Sequence, residues 1–109
     1  MLTNTEENYL KALLHLMLQS GNNETGTNKL AEHLGIKPAT VNDMLKKLKT
    51  KKLVMYEKYG KIKLSKDGRK QALLVIRKHR LWETFLYEKL QFSWDEIHEV
   101  AEQLEHIQS

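Results

Sequence analysis

Apolar residues recur at helical spacing within the first twenty positions of the chain. Because they repeat every three or four residues, their side chains share one face, and the pattern predicts a first helix. Asn4 or Thr5 is expected to cap this helix, with Glu6 and Glu7 in the first turn, where the helix dipole favours acidic side chains. The apolar positions are Leu10, Leu13, Leu14 and Met17.

A polar segment and two shorter helical patterns follow. Residues 21–26 (GNNETG) predict a turn, and Thr27 can cap a second helix that ends before Gly35. Pro38 fits the first turn of a third helix, where its missing N–H costs nothing. Two short helices joined by a glycine-containing turn, the second with a polar and basic outer face, predict a helix-turn-helix. The buried stripe of the third helix is expected to be Val41, Leu45 and Leu48.

Apolar and polar residues alternate in the next segment. Residues 53–58 (LVMYEK) and 61–64 (KIKL) both show this alternation, and Gly60 lies between them. The pattern predicts a β-hairpin. A hairpin that follows a recognition helix is a wing, so the first half of the chain is predicted to be a winged helix-turn-helix.

Two further helices are predicted, over residues 66–90 and 94–107. Ser65 and Ser93 can cap them, with acidic residues in the first turn of the second. The predicted fold class is mainly α with a small β-hairpin: a winged helix-turn-helix followed by a helical segment.

Composition limits the class of protein. A chain of 109 residues favours one domain, or one small domain plus a fragment, and chains this short often complete their core by dimerising. The absence of cysteine excludes a disulfide framework and thiolate zinc sites, and it fits a reducing cytoplasm. No apolar run approaches membrane-spanning length and no signal peptide is recognisable, so we expect a cytoplasmic protein without a membrane partner.

The net charge of +4 conceals an asymmetry between two segments. Residues 36–63 contain nine lysines against two acidic residues, whereas residues 84–109 contain six acidic residues against one lysine. A basic segment attracts polyanions, and an acidic segment suits cations. The alternative is that both segments are ordinary solvated faces of opposite sign.

The third helix carries the candidate DNA-reading residues, because the N-terminal residues of a recognition helix reach base edges in the major groove. The candidates for base contact are Lys37, Pro38, Ala39, Thr40, Asn42 and Asp43. The lysines better placed for phosphates are Lys46, Lys47, Lys58 and Lys61. Thr27 and Asn28, at a helix N-terminus, can also bind phosphate. The alternative is a winged helix that binds a protein or RNA.

Residues of the types that ligate metals are concentrated in the last third of the chain. His79 and Glu83 are four residues apart, and a second group lies within an arc of roughly 100° on one helix face. Imidazole and carboxylate together suit Zn(II), Fe(II) and Mn(II). Taken singly, each residue has a simpler explanation as a hydrogen-bonded histidine, an i,i+4 ion pair or a solvated face. The second group is His98, Glu102, Glu105 and His106.

With these residues in view, the chain resembles the diphtheria toxin repressor family, which includes iron- and manganese-dependent transcriptional repressors. The resemblance covers nearly the whole chain, and its last two stretches are the most specific. The stretches are TEENYL (5–10), AEHLG (31–35), PATV (38–41), LSKDG (64–68), RKHRLWE (77–83) and EQLEH (102–106).

The resemblance implies a winged helix-turn-helix DNA-binding domain over residues 1–64. It implies a helical dimerisation and metal-binding domain over residues 65–109, incomplete at its C-terminus. One metal site would use His79, Glu83 and His98. The residues of a second site would be Glu102, Glu105, His106 and Asn8. Metal on that second site would tie the first helix to the dimerisation domain and set the spacing of the two recognition helices.

Two positions depart from the family pattern. Asn8 stands where members usually have a methionine or aspartate ligand, and its carbonyl binds a hard metal more weakly than a carboxylate. Lys11 stands where manganese-type members have an acidic ligand, whereas Glu102 is the manganese-type choice. The expected corepressor is Mn(II) or Fe(II). Co(II), Ni(II) or Zn(II) can bind in vitro, since raw affinity follows the Irving–Williams order.

The predicted homodimer needs an apolar surface on the last two helices. Because interfaces of this size resemble a core cut in half, the same residues can instead form the chain's own core. The candidates are Leu81, Trp82, Phe85, Leu86, Leu90 and Trp94.

The predicted function is metal-dependent repression of metal-ion homeostasis genes, with a double-stranded DNA operator as partner and no small-molecule substrate. The alternative is a metal-independent winged-helix regulator with a degenerate metal site. An enzyme is not expected, since the chain lacks a His-Glu-x-x-His motif, a serine nucleophile elbow and a phosphate loop.

Overall fold

The structure, a computed structural model, describes residues 2–22, 24–56 and 60–107. Internal contacts divide the chain into two compact units, Met1–Ala72 and Leu73–Ser109. Within the described residues no helix has both the length and the apolar character to cross a membrane. The elements in chain order are α1 (Asn4–Ser20), β1 (Thr25–Gly26), α2 (Thr27–Leu34), α3 (Pro38–Thr50), β2 (Val54–Tyr56), β3 (Lys61–Leu64), α4 (Lys66–Glu88) and α5 (Trp94–Leu104).

Helix α1 begins at Asn4, one or two residues earlier than predicted, with Thr3 as its cap rather than Asn4 or Thr5. The Thr3 hydroxyl accepts a hydrogen bond from the Glu6 N–H at 3.1 Å, and the Glu6 carboxylate accepts one from the Thr3 N–H at 2.9 Å. This reciprocal capping box satisfies two backbone donors at once. The same Glu6 carboxylate also contacts Lys51.

The predicted apolar face of α1 is confirmed. Its side chains are almost fully buried, and α1 contacts α2, β1 and β3. Gly21 ends the helix in the left-handed region, with φ +73°. The buried apolar residues of this face include Leu10, Leu13, Leu14 and Met17.

Helices α2 and α3 form the predicted helix-turn-helix. Gly35 ends α2 with φ +70°, and Pro38 is the first residue of α3. The cap of α2 differs from the prediction, since Gly26 occupies the N-cap and Thr27 is the first helical residue. The strand β1 places Gly26 in extended backbone, which moves the cap one residue back. The predicted stripe of α3 is fully buried: Val41, Leu45 and Leu48.

The predicted wing is present as the antiparallel pair β2 and β3, with Val54 opposite Leu64 and Tyr56 opposite Ile62. The tip residues 57–59, which include the predicted phosphate contact Lys58, lie outside the described residues. The structure adds a strand where only a turn was predicted. Thr25 pairs with Ile62, so the sheet has three strands in the order β1–β3–β2.

The second unit contains α4 from Leu73 onward and all of α5. Helix α4 ends at Glu88, two residues before the predicted end, because Gln91 has a φ of +55° and the Phe92 N–H donates to the Leu86 carbonyl at 3.0 Å. Ser93 caps α5 as predicted, and its hydroxyl donates to the Glu96 carboxylate at 2.7 Å. The core of this unit consists of Leu86, Ile97 and Ala101, with Trp82, Phe92, Val100 and Leu104 packed against it.

Gly68 lets the first turn of α4 approach the segment before β2. A Cβ at this position would lie 2.0 Å from the Leu53 carbonyl oxygen. Ser65 fixes the same contact, since its N–H donates to the Leu53 carbonyl at 3.0 Å and its hydroxyl accepts from the Gly68 N–H at 3.0 Å.

We therefore expect Gly68→Ala to destabilise the protein by about 1–3 kcal/mol or more, because backbone must move to admit the methyl group. Urea denaturation followed by circular dichroism measures this change. Gly26→Ala is the control, since a Cβ there meets nothing within 4 Å. Equal stability of Gly68→Ala and wild type would contradict the close contact.

Lys51 joins the end of the recognition helix to the start of α1. Its ammonium lies 2.8 Å and 2.7 Å from the two carboxylate oxygens of Glu6, which is buried. Burial alone would raise the pKa of Glu6, but the hydrogen bonds from Lys51 and from the Thr3 N–H outweigh it and hold the pKa below its ordinary value. Since the folded-state pKa is lowered, this stabilisation exists at neutral pH and is lost as the carboxylate protonates in acid.

We expect Lys51→Met to lower the free energy of unfolding by about 1–3 kcal/mol at neutral pH, because the buried carboxylate loses its ion-pair partner. The difference from wild type should shrink as the pH falls below the ordinary carboxyl range. Lys47→Met, at an exposed position on α3, controls for loss of charge. A difference that stays constant across the acid range would show that the Glu6 charge is not involved.

Candidate metal centre and nucleic-acid interface

Helices α4 and α5 bring three of the predicted metal ligands together in the second unit. His79 and Glu83 lie one turn apart on α4, and His98 lies on α5. One ligand atom from each of the three falls within 4.8 Å of the others. Within the described part of the chain, no other group of three histidine or acidic side chains converges in this way.

Glu83 is the centre of this cluster. One of its oxygens, Oε2, lies 3.1 Å from His79 Nε2 and 3.6 Å from His98 Nδ1. The two imidazole rings meet edge to face, with their centroids 4.9 Å apart. His79 is largely buried, Glu83 is half-buried and His98 is exposed, so the cluster has a protein side and a solvent side.

The donor set fits a divalent transition metal. Two imidazoles and one carboxylate form a three-ligand set that suits iron, manganese, cobalt or zinc, with solvent completing the coordination. The exposed side at His98 gives an ion access. Because the ligands come from two helices held by one core, they are also pre-positioned for a common centre.

The next two predicted ligands contact the histidines of this same cluster. Glu102 Oε1 lies 2.9 Å from His98 Nε2, and Glu105 Oε1 lies 3.5 Å from His79 Nδ1. Sequence reasoning missed both contacts, because it placed the two carboxylates at a separate site. The i,i+4 spacing of His98 and Glu102 was a usable signal, whereas no spacing rule relates positions 79 and 105.

The remaining predicted ligands are His106 and Asn8. His106 is half-buried just beyond α5, and Asn8 is exposed on α1 in the first unit. A second metal site formed by Asn8, Glu102, Glu105 and His106 therefore stays a prediction.

The outer face of α3 presents the predicted DNA-reading residues to solvent. All of its candidate side chains are exposed, as are Asn28 on α2 and Lys61 on β3, while Thr27 is half-buried. An addition from the structure is Lys49, whose ammonium lies 5.1 Å from the centre of the Tyr56 ring and so links α3 to the wing strand β2. The exposed candidates on and just before α3 are Lys37, Pro38, Ala39, Thr40, Asn42, Asp43, Lys46 and Lys47.

The predicted dimer surface is largely exposed, with one correction. Leu86 is only 2% exposed and forms the core of the second unit, so it is not available to a partner. Trp82 is half-buried and packs against that core. The exposed candidates are Leu81, Phe85, Leu90 and Trp94, and Trp94 stacks on Tyr87 with ring centroids 4.7 Å apart.

The same surface contains an apolar groove of about 340 Å³. Leu81, Trp82 and Phe85 on α4 line it together with Ile107. Lys78 also lines it, and its ammonium donates to the Ile107 carbonyl at 2.9 Å. An uncovered apolar surface of this kind is typical of an interface.

Fold and site together define a winged helix-turn-helix protein with a histidine–carboxylate cluster in a second helical unit. Family models match both parts: residues 1–62 match the N-terminal DNA-binding domain of the iron-dependent repressors, and residues 65–109 match their metal-binding and dimerisation domain. The chain belongs to the iron-dependent repressor family, a family of transcriptional repressors.

Individual relatives agree with this assignment. The chain is 36% identical over 103 residues to an uncharacterised helix-turn-helix transcriptional regulator of Methanocaldococcus jannaschii, covering 94% of this chain and 82% of the regulator. It is 32% identical over 110 residues to the diphtheria toxin repressor of Corynebacterium jeikeium, covering 97% of this chain and 43% of that protein.

A solved structure shows the same fold. A manganese-dependent transcriptional repressor in complex with manganese matches 95% of this chain and 47% of its own, with 36% identity and a TM-score of 0.75. The chain thus spans less than half the length of this repressor and of the Corynebacterium relative.

If His79, Glu83 and His98 bind one ion, Glu83→Gln should weaken the binding of Co(II) by about 10–100-fold or more. Loss of an outer-shell partner alone typically costs that much affinity. The amide keeps the size of the side chain but cannot supply a charged oxygen. Visible absorption of Co(II) during titration of the full chain measures the affinity. Glu99→Gln removes an exposed carboxylate from α5 and should leave binding unchanged; equal affinity of both variants would argue against the cluster as the site.

Proposed function

We propose that this protein is a metal-dependent, DNA-binding transcriptional repressor that controls metal-ion homeostasis genes as a cytoplasmic homodimer. The observation that carries the proposal is the convergence of His79, Glu83 and His98 within 4.8 Å. This cluster is joined in one chain to a winged helix-turn-helix whose recognition helix has a polar and basic outer face. Membership of the iron-dependent repressor family supports both parts of the proposal.

The recognition helix α3 would lie in the major groove. Asn42 can make a bidentate contact with adenine, and the apolar Pro38 and Ala39 can contact a thymine methyl group. Lys46, Lys47 and the wing would contact phosphates, which supply affinity but no sequence information. These contacts make the predicted affinity strongly dependent on salt.

The proposed corepressor is Mn(II) or Fe(II). His79, Glu83 and His98 would hold one ion, and a second site would use Asn8, Glu102, Glu105 and His106. The nitrogen and oxygen donors accept either metal, and the solved repressor bound to manganese supports the proposal for Mn(II). When bound, the ion supplies a fixed positive charge that draws the carboxylates and imidazoles together.

Metal control requires that the ion bind the DNA-competent state more tightly than the other state. A shift from one DNA-competent molecule in a hundred to ninety-nine in a hundred needs an affinity ratio of about 10⁴. Coordination by several side chains can supply such a ratio, because every ligand that is missing in the other state weakens the binding of the ion to that state.

The dimer would form through the exposed apolar residues of the second unit. Leu81, Phe85 and Trp94 are largely exposed there, and burial of such side chains stabilises an interface by about 1.5–3 kcal/mol each. Two recognition helices related by a two-fold axis read half-sites about 34 Å apart, or a multiple of that distance. The proposed operator is therefore palindromic.

A metal-independent regulator is the second candidate. It is favoured by the contacts that Glu102 and Glu105 make with His98 and His79, because carboxylates can hold both imidazoles in place without an ion. In that case the cluster would be a structural ion-pair network in the second unit.

The two candidates differ in whether DNA binding needs metal. A palindromic duplex selected from a random pool by the metal-loaded protein would be titrated anaerobically with Mn(II), with Fe(II) and with chelator. We expect tight binding only with metal, and a loss of about 10³–10⁵ in affinity between 50 and 200 mM salt if six to ten phosphates are contacted.

His79→Ala tests the sensor within the same assay. In this variant, the affinity for the duplex measured with Mn(II) should fall to the level measured with chelator. The affinity for the duplex measured with chelator should equal that of wild type. If wild type binds the duplex equally with and without metal, the metal-independent regulator is correct. A dependence on salt that is nearly flat would refute the proposed phosphate contacts.

A further inference from the structure

Glu105 is a buried acidic residue at the C-terminal end of helix α5. Only 1% of it is exposed, and its N–H donates to the Ala101 carbonyl at 2.9 Å, which fixes the residue at the C-cap of α5. A carboxylate at this depth needs charged or polar partners. One of them is His79, whose Nδ1 lies 3.5 Å from Glu105 Oε1.

His79 has an unsatisfied nitrogen on the side that faces Glu105. Among the described residues, His79 Nδ1 is the buried side-chain polar atom without a hydrogen bond. Leaving such a group unpaired costs free energy, and 3.5 Å is long for a hydrogen bond. The other ring nitrogen, Nε2, points to Glu83 in the cluster, at 3.1 Å.

We infer that Glu105 is a positioning residue of the metal centre, in which its carboxylate accepts a hydrogen bond from His79 Nδ1–H and thereby leaves Nε2 as the nitrogen that binds metal. This inference rests on the proposed function of the His79 cluster. A neutral imidazole carries one proton; when Nε2 gives its lone pair to a metal ion, that proton lies on Nδ1, where Glu105 is the neighbouring acceptor.

The position of Glu105 gives it a second consequence. It is also a proposed ligand of the second site, so one side chain would belong to both. Metal at the second site would compete with His79 for the Glu105 carboxylate, and the two sites would therefore not bind independently.

Glu102 provides a natural contrast. It contacts His98 Nε2 at 2.9 Å in the same manner, but both partners are more than half exposed. Water can replace an exposed carboxylate, whereas it cannot easily reach His79 Nδ1. The inference therefore predicts a large effect of substitution at Glu105 and a small one at Glu102.

The test uses the full chain labelled with ¹⁵N-histidine and titrated with Zn(II), a diamagnetic probe. Long-range proton–nitrogen spectra report each ring nitrogen of His79 separately. We expect wild-type protein to keep the proton on Nδ1 while the Nε2 resonance shifts on addition of zinc. Glu105→Gln should weaken zinc binding at His79 by about 10–100-fold, and Glu102→Gln by less than about fivefold.

His106→Ala separates positioning from loss of the second site, because it removes another proposed second-site ligand without touching His79 Nδ1. Zinc binding at His79 should not weaken in this variant, and it should tighten where a second-site ion had competed for Glu105. If it weakens as much as in Glu105→Gln, the effect comes from the second site and the inference is wrong.

The remaining outcomes distinguish this inference from the proposed function. If zinc binds wild-type His79 through Nδ1, or if Glu105→Gln binds zinc at His79 as tightly as wild type, Glu105 has no positioning role and the metal centre stands. If zinc shifts neither nitrogen of wild-type His79, the metal centre itself is refuted. The wild-type spectrum needs no variant, so the test holds even where Glu105→Gln folds poorly.

Discussion

Burial of helix α1 is the constraint on which the DNA-binding unit depends. Its apolar face, including Leu10, Leu13 and Leu14, is almost inaccessible to solvent and contacts α2, β1 and β3. At about 1.5–3 kcal/mol for each buried leucine, this face outweighs any single polar contact in the unit. The recognition helix α3 is positioned through α2 and through the ion pair between Lys51 and Glu6. An event that displaces α1 would therefore disturb every element that presents residues to DNA.

The metal-type donors are positioned by the core that they adjoin. Glu83 lies one turn before Leu86 on α4, and His98 directly follows Ile97 on α5, and both of these apolar residues are buried in the same cluster. The turns of helix that pack together therefore also bring the donors together. This explains why His98, which is exposed, and Glu83, which is half-buried, lie close together although no loop positions them. It also means that core substitutions in this unit would alter the geometry of the donors.

Periodicity and capping chemistry predicted most helices, because each signal is contained within a few neighbouring residues. The stripe of α3, the glycine after α2 and the serine before α5 are of this kind. Strand β1 escaped prediction because two residues carry no period, and its partner Ile62 is distant in sequence. Thr3 is the cap of α1 rather than Asn4 or Thr5, and local sequence does not decide among three adjacent polar residues that can each cap a helix. Leu86 was misplaced for a related reason, since its burial depends on how α4 and α5 pack together.

The three-stranded sheet has a mechanical consequence. Strand β3 is hydrogen-bonded on both sides, to β2 in the wing and to β1, and β1 leads directly into the first residue of α2. Force applied to the wing by a bound duplex thus passes along peptide groups to the start of α2, without an intervening side chain. Replacing side chains one at a time would leave this connection intact. The coupling between the wing and the helix-turn-helix is for this reason a property of the backbone.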